Sequence, residues 1–346
     1  MTNYVPFLKT KKNEFSALKN LEKNIAENLT PFFDIHRKTK MYDEGEYKKF
    51  IGTLVNKFKL NAVYIKSFYL DDYDIDNKLQ VDGEQSYKFV INSFLDFPLI
   101  PVIGIDRTEE RNNVVLNNKD KFLLGRIAIR MTYEDLLTGH FELKKLINQV
   151  KDIFPNIDLI VDLRVIQQDS NTLAIYENIE RLFSKINYKF AKIIITGSSI
   201  SEVVSDYIGT DTKKNVKRKE LEVFKLINQN HSNFFYGDYT VVSPNFSESD
   251  IPGVLMQKLT TAKVTYPYGD VFYICRGNSL EKKGNDQYKQ FCDHISNQPF
   301  FRGAAYSYGD SFIKDALQYP KNIMAGSILN PTINAHISYM YKDYQL

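Results

Sequence analysis

The 346-residue chain has no tryptophan and only two cysteines, Cys275 and Cys292. The two thiols form neither a C-x-x-C pair nor a dense framework, so a reduced, cytoplasmic setting is expected and both are read as packing residues. No apolar stretch nears the roughly 18 residues that span a bilayer, and the opening MTNYVPFLKTKK holds no uninterrupted signal-type apolar region. Neither secretion nor a membrane partner is expected. Charge of one sign is scarce: the net value is +3, too small to demand a polyanionic partner. Motifs are scarce too. The sequence has no G-x-G-x-x-G turn, G-x-S-x-G elbow, Walker-type loop or H-E-x-x-H helix, and neither cysteine sits in a recognisable nucleophile context. No cofactor is expected.

What the chain does have is aromatic residues, 23 Tyr and 24 Phe, and short apolar β-branched runs that recur along it. The predicted strands are Tyr4 to Leu8, Thr30 to His36, Ala62 to Lys66, Pro98 to Asp106, Arg126 to Met131, Asp158 to Arg164, Lys192 to Thr196 and Phe234 to Val242. Between them lie stripes of helical period, such as Phe15, Leu18, Leu21 and Ile25, or Ile175, Ile179, Leu182 and Ile186. Alternation of this kind predicts a parallel sheet with right-handed crossovers. Eight strands are the number that closes a barrel whose side chains fill it, so the fold class is α/β, a TIM-like (β/α)8 barrel over residues 1–250. A doubly wound open sheet is the alternative. After residue 250 the pattern changes. Alternation at Ala262, Val264, Tyr266 and at Val271, Tyr273, Cys275 around a Pro267–Asp270 turn predicts a hairpin. Helices at Tyr288–Ile295 and Ser311–Leu317 and a final strand at His336–Tyr341 complete a C-terminal α+β extension, residues 251–346, packed on the barrel.

Several predicted strands end in charge, as the carboxyl-terminal face of a barrel requires. Period two puts Asp162 with Arg164, and Asp34 with His36, on the inward side, and Arg130 follows the same parity. With Lys66 and Asp106 these exits converge on one mouth. There a carboxylate such as Asp34 or Asp162, or His36, could act as an acid or base while cations hold an anion. Mutual salt bridges that plug the barrel end are the plainer alternative. Asp34 and His36 could also hold a metal with Asp106 or Asp162, but Arg37 and Lys38 would repel it, so none is expected. Gly197 and Ser198 precede a helix predicted from Glu202 and follow the seventh strand, where barrels often cradle phosphate; an ordinary serine cap reads equally well. Lys213, Lys214, Lys217, Arg218 and Lys219 form the densest basic run, placed near a helix start. It has no aromatic platform of its own, so a solvated face ranks ahead of nucleic-acid binding.

Two ends of the chain carry a resemblance. Tyr4-Val5-Pro6-Phe7-Leu8-Lys9 followed by Glu14 and Ala17-Leu18 is similar to the Y-x-P-x-L-K-x-K-x-x-E-x-x-A-L opening of the "beta family protein" group of bacterial and phage-linked proteins. Tyr266 with Arg276-Gly277, Gly284 to Gln287, Ser307-Tyr308-Gly309-Asp310 and Asn334-Ala335-His336-Ile337 resemble that group's RY, RG, G-x-x-Q, SWGD and NHHI series. Tyr308 replaces the group's tryptophan and Ala335 its first histidine, which weakens a paired-histidine role. The resemblance implies a barrel and a phage-defence or mobile-element setting. It adds Lys9, Glu14, Arg276, Asp310 and His336 as candidate binding residues. The expected function is recognition of an anionic ligand, a nucleotide or phosphorylated small molecule, at the mouth. A non-catalytic module that binds a protein partner through the extension is the competing reading.

Overall fold

The computed structural model describes residues 3–38, 40–245 and 258–344. Its first strands are β1 (Tyr4–Lys9), β2 (Phe32–Asp34) and β3 (Phe68–Asp71), followed by a small hairpin of β4 (Gln80–Val81) and β5 (Glu84–Gln85). Then come β6 (Leu99–Gly104), β7 (Arg126–Thr132), β8 (Asn156–Val165), β9 (Lys192–Ser198), β10 (Thr212–Lys217) and β11 (Phe235–Asp238). The barrel is closed and parallel, running β1, β2, β3, β6, β7, β8, β9, β11 and back to β1. Residues such as Val5, Phe7, Phe32, Val102, Ile160 and Ile194 fill its interior. Space there is tight: a Cβ on Gly237 would lie 2.7 Å from the Phe7 ring and 2.9 Å from Thr196 Cβ, so only glycine fits.

Helices coat the barrel with apolar stripes inward, each opened by local chemistry. Asp43, for example, accepts from the Glu46 amide at 2.7 Å to start the helix Glu44–Asn61, whose Tyr47, Ile51, Leu54 and Phe58 are buried.

Two predicted elements are corrected. The third strand is Phe68–Asp71, not Ala62–Lys66. Val63 and Tyr64, 68% and 48% exposed, belong to the turn that follows the helix, so their β-branched and aromatic character misled the reading. The predicted final strand at His336–Tyr341 is the end of a helix, Ala325–Lys342. There Ile333, Ile337 and Met340 recur at helical spacing and are buried in the main core, so tertiary packing decides the outcome.

The extension carries the predicted hairpin, β12 (Thr261–Tyr268) and β13 (Val271–Ser279), which turns through Gly269 at φ +48°. β10, which leaves the barrel chain between β9 and β11, pairs antiparallel with β13 and makes a three-stranded sheet. Helices Asp286–Ser296 and Tyr308–Asp315 cover that sheet with their own small core. Gly309 lets Tyr308–Asp315 touch the last helix: a Cβ there would lie 2.0 Å from the Pro331 carbonyl. The expected division at residues 250 and 251 lies outside the described residues. Among the described residues, no helix is long and apolar enough to cross a membrane.

Candidate ligand site at the barrel mouth

Pairing register aligns Lys9, Asp34 and Asp71 at the carboxyl ends of β1, β2 and β3. From across the barrel, Arg130 on β7 reaches into this row. Its guanidinium lies 2.7 Å from Asp34, 2.8 Å from Asp71 and 2.5 Å from Asp162 on β8, and donates to the Tyr239 hydroxyl at 2.8 Å. Tyr239 in turn donates to Asp162 at 2.6 Å. Lys9 bridges Asp34 at 3.2 Å and Asp74 at 2.6 Å. Asp71 also receives Arg107 at 3.0 Å and Arg111 at 2.7 Å, and Arg111 bonds Asp72 at 2.7 Å.

Burial opposes ionisation of Asp34, but the charges of Arg130 and Lys9 outweigh it and hold the carboxyl well below its ordinary range. Asp71 is lowered in the same way, by Arg107, Arg111 and Arg130 against its burial. A carboxylate so stabilised is a weak base, which argues against the acid–base role expected of Asp34 and for a role as a fixed anion. The layer is thus an ionic floor that lies over an apolar barrel.

Above the floor stands Tyr73. The guanidinium carbons of Arg107, Arg130 and Arg164 lie 4.7, 4.6 and 4.7 Å from its ring centroid, the geometry of cation–π contact. Arg164 is at the mouth as its parity implied, although β8 bulges there and the residue adopts φ +54°. Thr240, just past β11, has φ +55°. Such left-handed backbone is uncommon outside glycine and clusters where the surrounding structure holds a side chain for use. Arg164 keeps 18% of its side chain exposed and Asp74 12%, whereas Arg130 is wholly buried. Tyr73 and Asp74 border a cavity of about 650 Å³, with Arg37, Met41, Tyr42 and Lys78 on its other walls.

Two further candidates lie beside β1 and β2. Burial pushes the Glu14 carboxyl up to about 7, against the pull of its own amide and of Lys11, Lys9 and Lys57. His36 is driven down to about 3 by burial and by Lys11, Lys57 and Lys9, and its Nδ1 lies 2.8 Å from the Thr10 hydroxyl. Neutral His36 therefore takes part in a local hydrogen bond and does not supply a proton near neutrality. Asp106 caps the exit of β6 and pairs with Arg107 at 2.5 Å.

The remaining candidates are elsewhere. Lys66 precedes β3, at the opposite end of the barrel from the mouth, and pairs with Glu27 at 3.6 Å; the misplaced third strand put it in the ring. Gly197 and Ser198 lie within β9, and the helix predicted from Glu202 is a single 3₁₀ turn, Val204–Asp206; the α-helix that starts beside this segment is Lys219–Asn228, whose first amide donates to the Ser199 hydroxyl at 2.5 Å. The Ser198 hydroxyl instead donates to the Val242 carbonyl at 3.2 Å. Arg276 binds the Ile208 carbonyl at 2.5 Å, and Asp310 accepts from Tyr266 and Ser307, each at 2.5 Å. His336 Nε2 donates to the Asp238 carboxylate, 2.8 Å away, between the barrel and the last helix. These three tie the extension together. The basic run is also redistributed: Lys213, Lys214 and Lys217 are on strand β10, while Arg218 is buried against Asp238 at 2.7 Å. Among the described residues, no cluster of metal-ligand side chains exists.

The sequence reading missed Asp71, Tyr73, Asp74, Arg107, Arg111 and Tyr239. The signal for the first three was present, because Phe68-Tyr69-Leu70-Asp71 is itself an apolar run with an ionic exit. A search of curated proteins gives no match. The residues that carried the resemblance are placed coherently, from Lys9 at the mouth to the Gly309–Asn334 contact, where the Gly309 amide donates to the Asn334 side chain at 3.0 Å. The family model described as Beta protein matches residues 4–342, from the first barrel strand through the last helix, and the chain belongs to that family.

Proposed function

We propose that the protein recognises an anionic small molecule with a planar group, a nucleotide or a similar phosphorylated compound, in the cavity at the barrel mouth. One observation carries this reading: the ionic floor is buried, yet Tyr73 and Asp74 above it border a cavity of ligand size, and the partly exposed Arg164 packs on the Tyr73 ring. Buried ion clusters are weak stabilisers, since desolvation consumes most of their Coulomb gain. A floor of this kind is better suited to fixing side chains in place for a ligand. Arg37, Lys38 and Lys78 outnumber Asp74 and Asp76 on the cavity wall and favour negative charge, while Tyr42, stacked on Phe50, and Tyr73, held by three guanidiniums, give the wall an aromatic lining. Of the floor's guanidiniums Arg164 is the most exposed, and it is the one assigned to meet a phosphate. Asp34 and Asp162 keep Lys9 and Arg130 in position, so the site is read as a binding site first.

Thermal unfolding in the presence of ATP, GTP, their monophosphates and inorganic phosphate tests this. Ligand at 100 times its Kd adds about 2.7 kcal/mol to stability, a shift easily read. A rise in Tm with a nucleotide that is lost in Arg164→Ala supports the reading. Equal responses of wild type and Arg164→Ala, or none to any compound at millimolar concentration, would overturn it.

A further inference from the structure

The sheet formed by β10, β13 and β12 has a face that no function above uses. Register places Lys213 opposite Cys275, Asn215 opposite Tyr273 and Lys217 opposite Val271. On the other side of β13, Val264, Tyr266 and Tyr268 continue the same rows. Directly opposed residues share a face, so cationic and aromatic positions interleave across it. Helix Asp286–Ser296 covers only the inner part, where Val264, Tyr266 and Cys275 pack with Cys292 and Ile295. Toward β10 the cover stops: Lys213, Asn215 and Lys217 are exposed, and Tyr268, Tyr273, His294 and Phe300 are half-buried.

These aromatics are held in place. Tyr268 stacks on Phe300 with ring centroids 4.1 Å apart and planes 4° from parallel, and its hydroxyl bonds Asn215 at 3.0 Å. Tyr273 lies 4.9 Å from Phe300, and its hydroxyl is 2.9 Å from His294 Nε2. The cations are unspent. Among the described residues, Lys213 and Lys217, the two on this face, make no ion pair. Past Lys217 lies a groove of about 540 Å³ bordered by Leu173 and Val271 and by Glu222 and Asp270, the latter paired with Lys225 at 2.5 Å. The sequence run lacked an aromatic platform; folding supplies one from β12, β13 and the segment after the next helix.

We propose that this strip binds single-stranded nucleic acid with little sequence preference, phosphates on Lys213 and Lys217 and bases against Tyr268 and Tyr273. Exposed cations beside anchored rings are the two elements such binding needs. The inference is independent of the mouth. Lysines on an edge strand also deter sheet-to-sheet pairing, and an acidic peptide could use the same charges, but neither role needs the rings.

Fluorescence anisotropy of a labelled oligothymidylate of about 12 nucleotides, titrated with the full chain, tests it. The affinity is expected to fall steeply between roughly 50 and 200 mM salt. The double variant Lys213→Glu/Lys217→Glu should weaken binding at least about tenfold and flatten the salt slope, both changed residues being exposed. Tyr273→Ala should weaken it about tenfold with the slope kept, while Tyr273→Phe, which retains the ring, binds as wild type. Absence of binding at low salt, or unaltered binding by the lysine variant, would overturn the proposal. So would Tyr268→Ala and Tyr273→Ala variants that bind as wild type while polyglutamate competes fully, which would mark an acidic-peptide surface.

Discussion

Arg130 and Arg218 are both wholly buried and both pinned by carboxylates, yet one sits under a cavity and the other inside a joint. Arg130 gathers Asp34, Asp71 and Asp162 from three barrel strands, and the partly exposed Arg164, Tyr73 and Asp74 lie next to it. Arg218 gathers Asp238 and Glu220, with Tyr236 at 2.9 Å, while His336 of the last helix joins at Asp238. Each member of the second cluster is at most 2% exposed. The same chemistry therefore serves two ends. At the joint it specifies how the extension seats on the barrel; at the mouth it presents side chains to solvent.

The largest expected effect strikes both clusters alike. Arg130→Met and Arg218→Met each strand buried carboxylates, and each should cost about 3–5 kcal/mol in denaturant unfolding. They should part in a second measurement. Hydrogen exchange in Ala325–Lys342 should speed up in Arg218→Met more than in Arg130→Met, because only Arg218 shares a carboxylate with that helix. Equal exchange would erase the distinction between the clusters.

Glu14 sharpens the mouth side. It holds its proton up to about pH 7 in the native state, whereas an unfolded glutamate releases it near 4.3. Between those values the native chain binds more protons, so its contribution is full at low pH and is lost as pH rises through about 7. Glu14→Gln should remove that slope and gain up to roughly 3 kcal/mol at pH 8, visible as a Tm difference that grows from pH 4.5 upward. A constant difference across that range would contradict the assignment.

Gly309→Ala probes the joint by shape alone. Its new methyl meets backbone at Pro331 and Ala335, and a loss of about 1–3 kcal/mol is expected in thermal unfolding without a change at the mouth. The smallest effect on stability belongs to Arg164→Ala, about 1–2 kcal/mol, because its carboxylate contacts are long, 3.9 Å to Asp162 and 4.0 Å to Asp74, and the loss is mainly that of its hydrogen bonds to the Pro244 carbonyl and the Asn245 side chain, each 3.1 Å.

The mouth was more legible than the joint, for a physical reason. Ionic strand exits are local signals, so Asp34, Arg130, Asp162 and Arg164 could be grouped by parity and do converge, together with Lys9, which the resemblance added. Lys66 went astray because Val63, Tyr64 and Ile65 imitate a strand where the chain is only turning out of a helix. The joint depends on contacts such as Tyr4 to Asp238, 2.9 Å apart across 234 positions, which no local pattern announces. His336 illustrates this: its neighbourhood reads as a strand, and only packing of Ile333, Ile337 and Met340 against the barrel makes it a helix that carries the histidine to Asp238. The resemblance named these joint residues without their role. Most of them prove to hold the extension together.

Native mass spectrometry of the purified full chain, wild type beside Arg164→Ala and Arg218→Met, tests the central claim most directly. The account predicts that a phosphate-bearing small molecule accompanies the wild type and Arg218→Met and is missing from Arg164→Ala. An adduct retained by Arg164→Ala, or lost only from Arg218→Met, would place the site away from the mouth and contradict it.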